Sequence, residues 1–328
     1  MYIVKILITG GAGFIGSHLV DQLLVMNHSV VVYDDFSTGA LSNISMHLGN
    51  PNFQLVKDTI LDLDKLETVV KDADYIFHLA AAVGVFNIVQ KPLESLATNI
   101  QGTENILEAA SKFKKPVLIT SSSELYGKNT ADKLSESDDR ILGSPLSLRW
   151  SYSEAKAIDE SLAFAYWTEK QLQVRIVRLF NTVGPRQLGR YGMVVPRFVR
   201  SAILGEPVDI YGSGSQTRCF AHVFDVVNAI IAVAFSKNTL AKVVNIGNSS
   251  EISIFDLATD IIRELDSKST IRYVSYMDAY GEGFEDMDRR VPDISLINSL
   301  VGWKPTLTLK QIIADTERYL RLEMKNES

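Results

Sequence analysis

Tyr152 and Lys156 are the two side chains of this sequence whose types and spacing point most directly to chemistry. Because residues four apart lie on one face of a helix, the ammonium group of Lys156 can stabilise the phenolate of Tyr152 and lower the pKa of the phenol. A phenolate beside a dinucleotide is a base that can take a hydroxyl proton while a hydride leaves the same carbon. Without a dinucleotide site elsewhere in the chain, the same pair would be an ordinary surface tyrosine and a solvated lysine.

A glycine-rich segment near the start of the chain supplies the other half of that inference. Gly10, Gly13 and Gly16 follow the apolar run 3–8 and precede an amphipathic stretch at 18–26. In a strand–loop–helix unit, small residues at these positions allow a tight turn, close approach of a pyrophosphate and close helix–strand packing. The helix N-terminus then faces the phosphates. The order and distance of the two motifs therefore predict a dinucleotide-dependent catalytic site.

Acidic residues at the ends of predicted strands indicate which dinucleotide is bound. Asp34 ends the second strand, where a carboxylate can accept both ribose hydroxyls and would repel a 2′-phosphate, so the sequence favours NAD over NADP. Asp35, the next residue, leaves open which of the two acids makes this contact. Asp58, after the third strand, could receive the adenine amino group.

Small and polar residues follow the next two strands. The segment 79–81 holds small residues that would let a cofactor lie against the sheet, and a serine-rich segment, 121–124, follows the fifth strand. The carboxyl edge of such a sheet is where ligands bind, so a serine hydroxyl there can hydrogen-bond the reacting oxygen or Tyr152; a plain serine-rich turn is the alternative. Asn99 lies in a helix predicted over 93–113. Asparagine has poor helix propensity, which favours a buried hydrogen-bonding role over an exposed polar one.

The fold expected from these elements is an α/β fold with a Rossmann-like, doubly wound parallel sheet. Short apolar runs alternate with helical stretches up to about residue 180, as expected for a parallel sheet covered on both faces. Residues 1–180 are interpreted as a nucleotide-binding lobe and residues 181–328 as a smaller α+β substrate lobe. A strand near 243–246 could return to the first lobe.

Composition narrows the class of protein. The 328 residues are 46% hydrophobic and carry a formal net charge of −6, which disfavours a nucleic-acid or anionic-membrane surface. Cys219 is the one cysteine, so no intrachain disulfide forms and a reducing, cytoplasmic compartment is expected. No apolar run approaches the roughly 20 residues of a membrane span. No metal site is expected.

Taken together, the motifs resemble those of the extended short-chain dehydrogenase/reductase family, in its nucleotide-sugar branch. The resemblance covers almost the whole chain. It is carried by the glycine segment 10–16, the segments 34–39, 78–81, 121–127 and 302–305, the Tyr152/Lys156 pair, and the segment 178–186.

The resemblance implies a tightly held NAD that removes a hydride from C4 of a nucleotide-linked sugar and later returns it. It also implies roles for individual residues, with Ser122 as the catalytic hydroxyl, Tyr152 as the base and Lys156 as its activator. The cofactor-binding residues expected are Gly10, Gly13, Phe14, Ile15, Gly16, Asp34, Asp35, Asp58, Ile60, Leu79, Ala80, Ala81, Asn99, Tyr152 and Lys156.

Substrate contacts are likewise implied by position in the family pattern. Asn181 resembles the residue that hydrogen-bonds the substrate diphosphate, and Arg218 and Arg290 resemble the two diphosphate arginines, whose planar guanidinium groups suit bidentate phosphate contacts. Tyr211 falls where the nucleobase pocket is expected, although a core aromatic is about equally plausible there. Ser123 and Val85 complete the substrate-binding residues expected.

The reaction depends on side chains around C5 and C6 of the sugar, and here two segments disagree. Glu124 after Ser123 resembles the pair found in glucuronate decarboxylases and guanosine-diphosphate-mannose dehydratases, whereas 4-epimerases usually have no acid there. The loop 78–85 looks more like that of an epimerase. A uridine-diphosphate-sugar 4-epimerase of the glucose/galactose type is therefore the first hypothesis. A UDP-glucuronate decarboxylase or 4,6-dehydratase that uses Glu124 comes second, and an idle NAD sensor is the alternative from a different class.

Family members commonly pair through two long helices of each subunit. The stretches 93–113 and 151–170 are suitable, so a homodimer is expected.

Overall fold

An open, wholly parallel sheet of seven strands forms the centre of the protein. The computed structural model describes residues 3–84, 91–187, 189, 193–280, 287 and 289–327. Its strands are β1 (Lys5–Thr9), β2 (Ser29–Tyr33), β3 (Phe53–Val56), β4 (Tyr75–His78), β5 (Val117–Ser122), β6 (Val174–Leu179), β7 (Thr182–Val183), β8 (Val208–Tyr211), β9 (Thr217–Cys219), β10 (Ala221–His222), β11 (Val243–Ile246), β12 (Glu251–Ser253) and β13 (Ile271–Val274).

Helices cover both faces of this sheet. They are α1 (Phe14–Val25), α2 (Leu63–Asp72), α3 (Pro92–Leu96), α4 (Gly102–Lys112), α5 (Ser151–Lys170), α6 (Val194–Leu204), α7 (Val223–Phe235), α8 (Ile254–Glu264), α9 (Tyr276–Tyr280), α10 (Ser295–Val301) and α11 (Leu309–Glu327). Short 3₁₀ turns lie at Leu41–Asn43, Ser45–His47, Ser123–Tyr126, Leu148–Trp150 and Lys237–Thr239.

The strand order in the sheet is β11-β6-β5-β4-β1-β2-β3, and every neighbouring pair is parallel. The order reverses beside β1, where Thr9 pairs with Tyr33 of β2 on one side and with His78 of β4 on the other. Open α/β sheets bind ligands at such a switch point, beyond the carboxyl ends of the strands. The Rossmann-like fold expected from the sequence is confirmed.

Two apolar layers hold the helices to the sheet. Leu19 and Leu23 of α1 and Ile230 of α7 pack on one face, whereas Leu66 of α2 and Ile106 of α4 pack on the other. Each fully buried Val, Leu or Ile side chain contributes roughly 1.5–3 kcal/mol relative to an exposed one. The sheet is thus buried on both faces, which explains why its strands are continuous apolar runs.

A smaller lobe stands beyond the carboxyl edge of the sheet. It contains the two-stranded pairs β10-β7, β12-β9 and β13-β8, and its core joins α6, α8 and α11. The strand β11, although late in the sequence, pairs with β6 at the edge of the large sheet. The predicted boundary near residue 180 stays a prediction.

The helix expected over 93–113 is interrupted. The chain forms α3, then a π-helical turn at Ala97–Gln101, and only then α4. Such turns widen a helix locally and turn a side chain out of the regular pattern, and here the buried side chain is that of Asn99.

Candidate active site

A cavity of about 490 Å³ opens between the carboxyl edge of the sheet and the smaller lobe. It brings together most of the residues singled out from the sequence. Those that line it are Gly10, Gly13, Phe14, Ile15, Gly16, Asp34, Asp35, Asp58, Ile60, Leu79, Ala80, Ala81, Ser122, Ser123, Glu124, Tyr152, Lys156, Asn181, Tyr211, Arg218 and Arg290. Val85 lies outside the described residues.

The glycine loop closes one end of the cavity and leaves no room for side chains. Gly10 has φ +72°, and a Cβ there would lie 2.6 Å from the backbone nitrogen of Ala80. A Cβ at Gly16 would overlap the carbonyl oxygen of Gly10. Gly13 caps α1, whose first-turn N–H groups point out of the helix end as an anion site. The loop therefore fits a pyrophosphate pressed against backbone.

Asp34 stands at the end of β2 as the sequence predicted. Its Oδ2 accepts a hydrogen bond from the Ala12 N–H at 2.8 Å, and its Oδ1 accepts one from the Phe36 N–H at 2.8 Å. Burial raises the pKa of this carboxyl against the lowering effect of these two bonds. Each carboxylate oxygen keeps a second lone pair, so Asp34 can still receive ribose hydroxyls.

The two other acids near Asp34 are less enclosed. The exposed Asp35 lines the rim, where its Oδ1 accepts from the Ser37 N–H at 2.8 Å. Asp58 pairs with Lys65 at 2.9 Å, and this contact lowers its pKa. The glycine loop, the buried Asp34 and the small side chains after β4 together fit NAD.

Asn99 does not line the cavity. Its Oδ1 accepts from the Ala82 N–H at 2.8 Å, and its Nδ2 donates to the Ala82 carbonyl at 3.2 Å. Both polar atoms of the Asn99 side chain therefore form hydrogen bonds with the loop after β4. The prediction of a buried hydrogen-bonding role matches this placement, whereas direct cofactor contact does not, because Asn99 supports the loop from behind.

Tyr152 and Lys156 lie one turn apart on α5, and both face the cavity. Burial raises the pKa of Tyr152 more than the Lys156 ammonium group lowers it, and Glu124 and Asp159 raise it further. Lys156 lowers the pKa of the phenol as the sequence predicted, but burial of Tyr152 has the larger effect, so the net change in pKa is upward. Asp159, whose Oδ2 lies 3.1 Å from Lys156 Nζ, opposes part of the lowering.

The helix α5 is fixed against the sheet by a buried ion pair. Arg178 of β6 donates to both carboxylate oxygens of Glu160, at 2.9 and 2.8 Å, and to the hydroxyl of Tyr126 at 2.9 Å. At the other end of the helix, the Ser153 hydroxyl donates to the carbonyl of Glu124 at 2.9 Å. These bonds hold Tyr152 in a fixed relation to the turn that carries Ser122, Ser123 and Glu124.

Ser122 caps that turn. Its Oγ accepts from the Glu124 N–H at 3.2 Å, and its hydroxyl hydrogen-bonds Tyr152, which lowers the pKa of the phenol. Ser123 is buried and also lines the cavity. The arrangement brings a hydroxyl to the phenol, as the sequence predicted.

Glu124 is held between two buried arginines. Arg149 Nη1 lies 2.7 Å from Oε2, and Arg290 Nη1 lies 2.5 Å from Oε1. Burial would raise the pKa of Glu124, but Arg290 and Arg149 outweigh it and lower the pKa to about 2. The carboxylate is therefore ionised at neutral pH.

The residues expected at the diphosphate and nucleobase also line the cavity. Asn181 Nδ2 donates to the Cys219 carbonyl at 3.0 Å, and its Oδ1 accepts from Arg290 Nη2 at 3.0 Å. Arg218 is buried, and its Nη1 donates to the Thr217 carbonyl at 2.8 Å. The guanidinium carbon of Arg197 lies 3.9 Å from the ring centre of Tyr211, a cation–π contact.

Sequence reasoning missed Arg149 and Asp159. Arg149 precedes Tyr152 by three residues and reaches the same cavity from the 3₁₀ turn before α5. Asp159 follows Lys156 by three residues, a spacing that places two side chains on one helix face. Both spacings were visible in the sequence.

The comparison with known proteins identifies the family. Residues 7–316 match the family described as GDP-mannose 4,6 dehydratase. The chain belongs to this family. This family is part of the nucleotide-sugar branch of the extended short-chain dehydrogenases/reductases. The motifs predicted that branch, and the prediction is confirmed.

Three relatives show what this member of the GDP-mannose 4,6 dehydratase family resembles. It is 40% identical over 324 residues to the UDP-N-acetyl-alpha-D-glucosaminuronate decarboxylase of Bacillus cytotoxicus, which covers 98% of this chain and 99% of the relative. It is 36% identical to UDP-glucuronic acid decarboxylase 1 of Xenopus tropicalis, over 99% of this chain and 74% of the relative. The solved UDP-glucuronic acid 4-epimerase of Bacillus cereus, in complex with UDP-glucuronic acid and NAD, has a TM-score of 0.87 and 29% identity, with 97% and 99% of the chains covered.

These relationships confirm that the protein is an NAD-dependent enzyme that modifies nucleotide sugars. An idle NAD sensor is thereby disfavoured. Across the described ranges no helix is both long and apolar enough to cross a membrane. Within the same ranges no three His, Cys, Asp or Glu side chains are grouped to hold a metal ion.

Proposed function

We propose that the protein is a decarboxylase of uridine-diphosphate hexuronic acids, which oxidises C4 of the sugar, releases C6 as carbon dioxide and reduces C4 again. The two relatives named as decarboxylases support this reaction over the 4-epimerase that the sequence placed first. The observation that carries the proposal is the cluster in which Glu124 is held by Arg149 and Arg290.

The charge of this cluster suits a uronic acid. Two guanidinium groups and one ionised carboxylate give this cluster a net positive charge, which favours a substrate carboxylate over a neutral hydroxymethyl group. The charge of Glu124 acts on Tyr152, so the cluster lies near the phenol that would face C4. C6 is two bonds from C4. Arg290 is therefore assigned to the carboxylate end of the substrate, and Asn181 and Arg218 to its diphosphate.

The protonation state of Glu124 argues against elimination. A 4,6-dehydratase needs a base that removes the C5 proton and an acid for the departing C6 oxygen. Glu124, with a pKa of about 2, is a weak base for removal of the C5 proton. Decarboxylation requires neither group, because the bond that breaks is C5–C6.

The steps assigned to this chain are few. Bound NAD supplies the acceptor for the C4 hydride and its return. Tyr152 takes the C4 hydroxyl proton, and Lys156 stabilises the phenolate against the effect of burial. Ser122, which hydrogen-bonds the phenol, orients it. With C4 a ketone, carbon dioxide leaves, its bonding pair passes into the C4 carbonyl, and C5 takes up one proton that comes, in net terms, from solvent.

Two further assignments follow from the placement of residues around the cavity. Tyr211, stacked under Arg197, is proposed to contact the uracil ring, and Asp34 the adenosine ribose of NAD. We also propose a homodimer that pairs through the stretches 93–113 and 151–170 of each subunit.

A substrate panel tests the proposed function. The protein is incubated with NAD and, separately, with UDP-glucuronate, its 2-acetamido analogue, UDP-glucose, deoxythymidine-diphosphate-glucose and GDP-mannose, and products are read by mass and proton NMR. The proposal expects loss of carbon dioxide from one or both uronic acids alone. An unchanged mass with inverted C4 would make the protein a 4-epimerase, and loss of water would make it a dehydratase; either would refute the proposal. The Tyr152→Phe variant is the control.

A further inference from the structure

A network of buried polar side chains lies beneath the cavity and begins at Lys156. Lys156 Nζ lies 3.1 Å from Asp159 Oδ2, and the two side chains are 2% and 0% exposed. Burial raises the pKa of Asp159, and Lys156 and then the Thr103 hydroxyl, the next group along, oppose this rise. Within the described chain, Asp159 Oδ1 has no partner of ordinary hydrogen-bond geometry, which leaves Lys156 as the main group that stabilises this charge.

This network of hydrogen bonds continues through His78 to Thr9 of β1. Thr103 Oγ1 lies 3.1 Å from His78 Nε2, and Thr9 Oγ1 lies 2.7 Å from His78 Nδ1. The Ala80 N–H, at the wall of the cavity, donates to Thr9 Oγ1 at 3.4 Å. Burial and the charge of Lys156 lower the pKa of His78 to about 3, so the ring is neutral.

One assignment of protons gives each hydrogen bond of this network one donor and one acceptor. The Thr9 hydroxyl accepts from Ala80 and donates to His78 Nδ1, which places the ring proton on Nε2. His78 then donates to Thr103, whose own hydroxyl proton is left for Asp159. Every donor in this assignment points toward the Asp159 carboxylate, as expected for an acceptor.

We propose that Asp159 is a positioning residue that keeps Lys156 charged and turned toward Tyr152 inside a buried site. The inference rests on the proposed roles of Tyr152 and Lys156 in C4 oxidation, and it holds whichever reaction follows that oxidation.

The reason is the instability of an isolated buried ammonium group. A fully buried lysine without a partner can have a pKa of about 5–6, and it would then be neutral at pH 7 and unable to stabilise a phenolate. Here burial lowers the pKa of Lys156, but Asp159 and then Tyr152 outweigh it, so that the pKa is raised. The remaining charged or titratable groups that face the pair are Glu160 on α5, His78 on β4 and Glu124 beyond β5.

The test is the Asp159→Asn variant, which keeps the size of the side chain and removes its charge. The wild type should show no alkaline limb in its kcat/KM profile up to about pH 9, because Lys156 keeps its proton. The variant should acquire such a limb below about pH 9 and lose at least about tenfold in kcat/KM at pH 7. A variant profile that is lower but unshifted would overturn the inference, since a merely structural role predicts that result.

A second readout needs no substrate. In the variant, the folded-state pKa of Lys156 falls below its unfolded value, so the folded form binds fewer protons and stability rises with pH. The urea midpoint of the variant should therefore lie further below that of the wild type at pH 6 than at pH 9. An equal deficit at both pH values would overturn the inference. If wild-type protein turns over no uronic acid but this pH dependence is found, the proposed function fails and the inference stands.

Two further variants complete the design. Glu160→Gln removes a buried carboxylate from the next position of α5, one that pairs with Arg178 rather than with Lys156. It should lower the urea midpoint about equally at both pH values and create no alkaline limb. If Asp159→Asn does not fold, Asp159→Ser, which also removes the charge, should show the same alkaline limb, and a wild-type profile there would overturn the inference.

Discussion

Replacement of Glu124 by glutamine removes the carboxylate on which both arginines of the cluster converge. The pKa of Glu124 falls from an ordinary 4.5 to about 2. A shift of about 2.5 pKa units corresponds to roughly 3 kcal/mol of stabilisation of the ionised form. For a carboxyl group with a depressed pKa, this stability is present above the unfolded-state value and is lost as pH falls through the folded-state value. Between pH 5 and pH 3, about 2 kcal/mol of it should disappear.

The first assay is urea unfolding of the wild type and of Glu124→Gln at pH 5 and pH 3. The wild type should lose about 2 kcal/mol more of its unfolding free energy over that interval than the variant does. The matched control is Glu154→Gln, which removes an exposed glutamate of α5 paired with Arg140. This control should follow the wild type. An equal pH dependence in the wild type and in Glu124→Gln would refute the ionised cluster.

The second assay is turnover. Glutamine leaves two guanidinium groups for the substrate carboxylate, which stabilises the bound carboxylate and slows its loss. Carbon dioxide release should fall by about 10²-fold, with an unchanged or lower KM, while absorbance at 340 nm shows that C4 oxidation still occurs. Wild-type carbon dioxide release from Glu124→Gln would contradict the proposed role of the cluster.

The remaining predictions concern the base and the cofactor. Tyr152→Phe should keep NAD bound and lose turnover by about 10³-fold, because it removes the proton acceptor; steady-state kinetics and NAD titration by calorimetry would measure both. Asp34→Ala should weaken NAD by about 1–3 kcal/mol in the same titration, through loss of a charged hydrogen bond. Asp35→Ala, at the exposed neighbouring position, should change NAD affinity little, and the reverse order of the two effects would assign the ribose contact to Asp35.

The fold was predictable because local signals and topology agree. Apolar runs followed by glycine, acid or serine mark strands whose carboxyl ends form one edge of a parallel sheet, and Asp34 and Ser122 do stand at that edge. The i,i+4 spacing of Tyr152 and Lys156 likewise implies one helix face, and the structure places them so.

The partners that offset the charges of Lys156 and Glu124 were not predictable in the same way. The lowering of the Tyr152 pKa was expected from Lys156 alone, but burial and Asp159 reverse the outcome. The pairing of Glu124 with Arg290 joins residues 166 positions apart, and only the tertiary fold brings them together. The first hypothesis, a 4-epimerase, rested partly on the loop after β4, whereas the proposed decarboxylase rests on the charge of that distant pair.

The most direct test of the account follows the sixth carbon of the substrate. UDP-glucuronate or its 2-acetamido analogue, labelled at C6, is incubated with the enzyme and NAD in deuterated water. We expect labelled carbon dioxide and a five-carbon sugar with one deuterium at C5. Label retained in a six-carbon product that is inverted at C4 would contradict it.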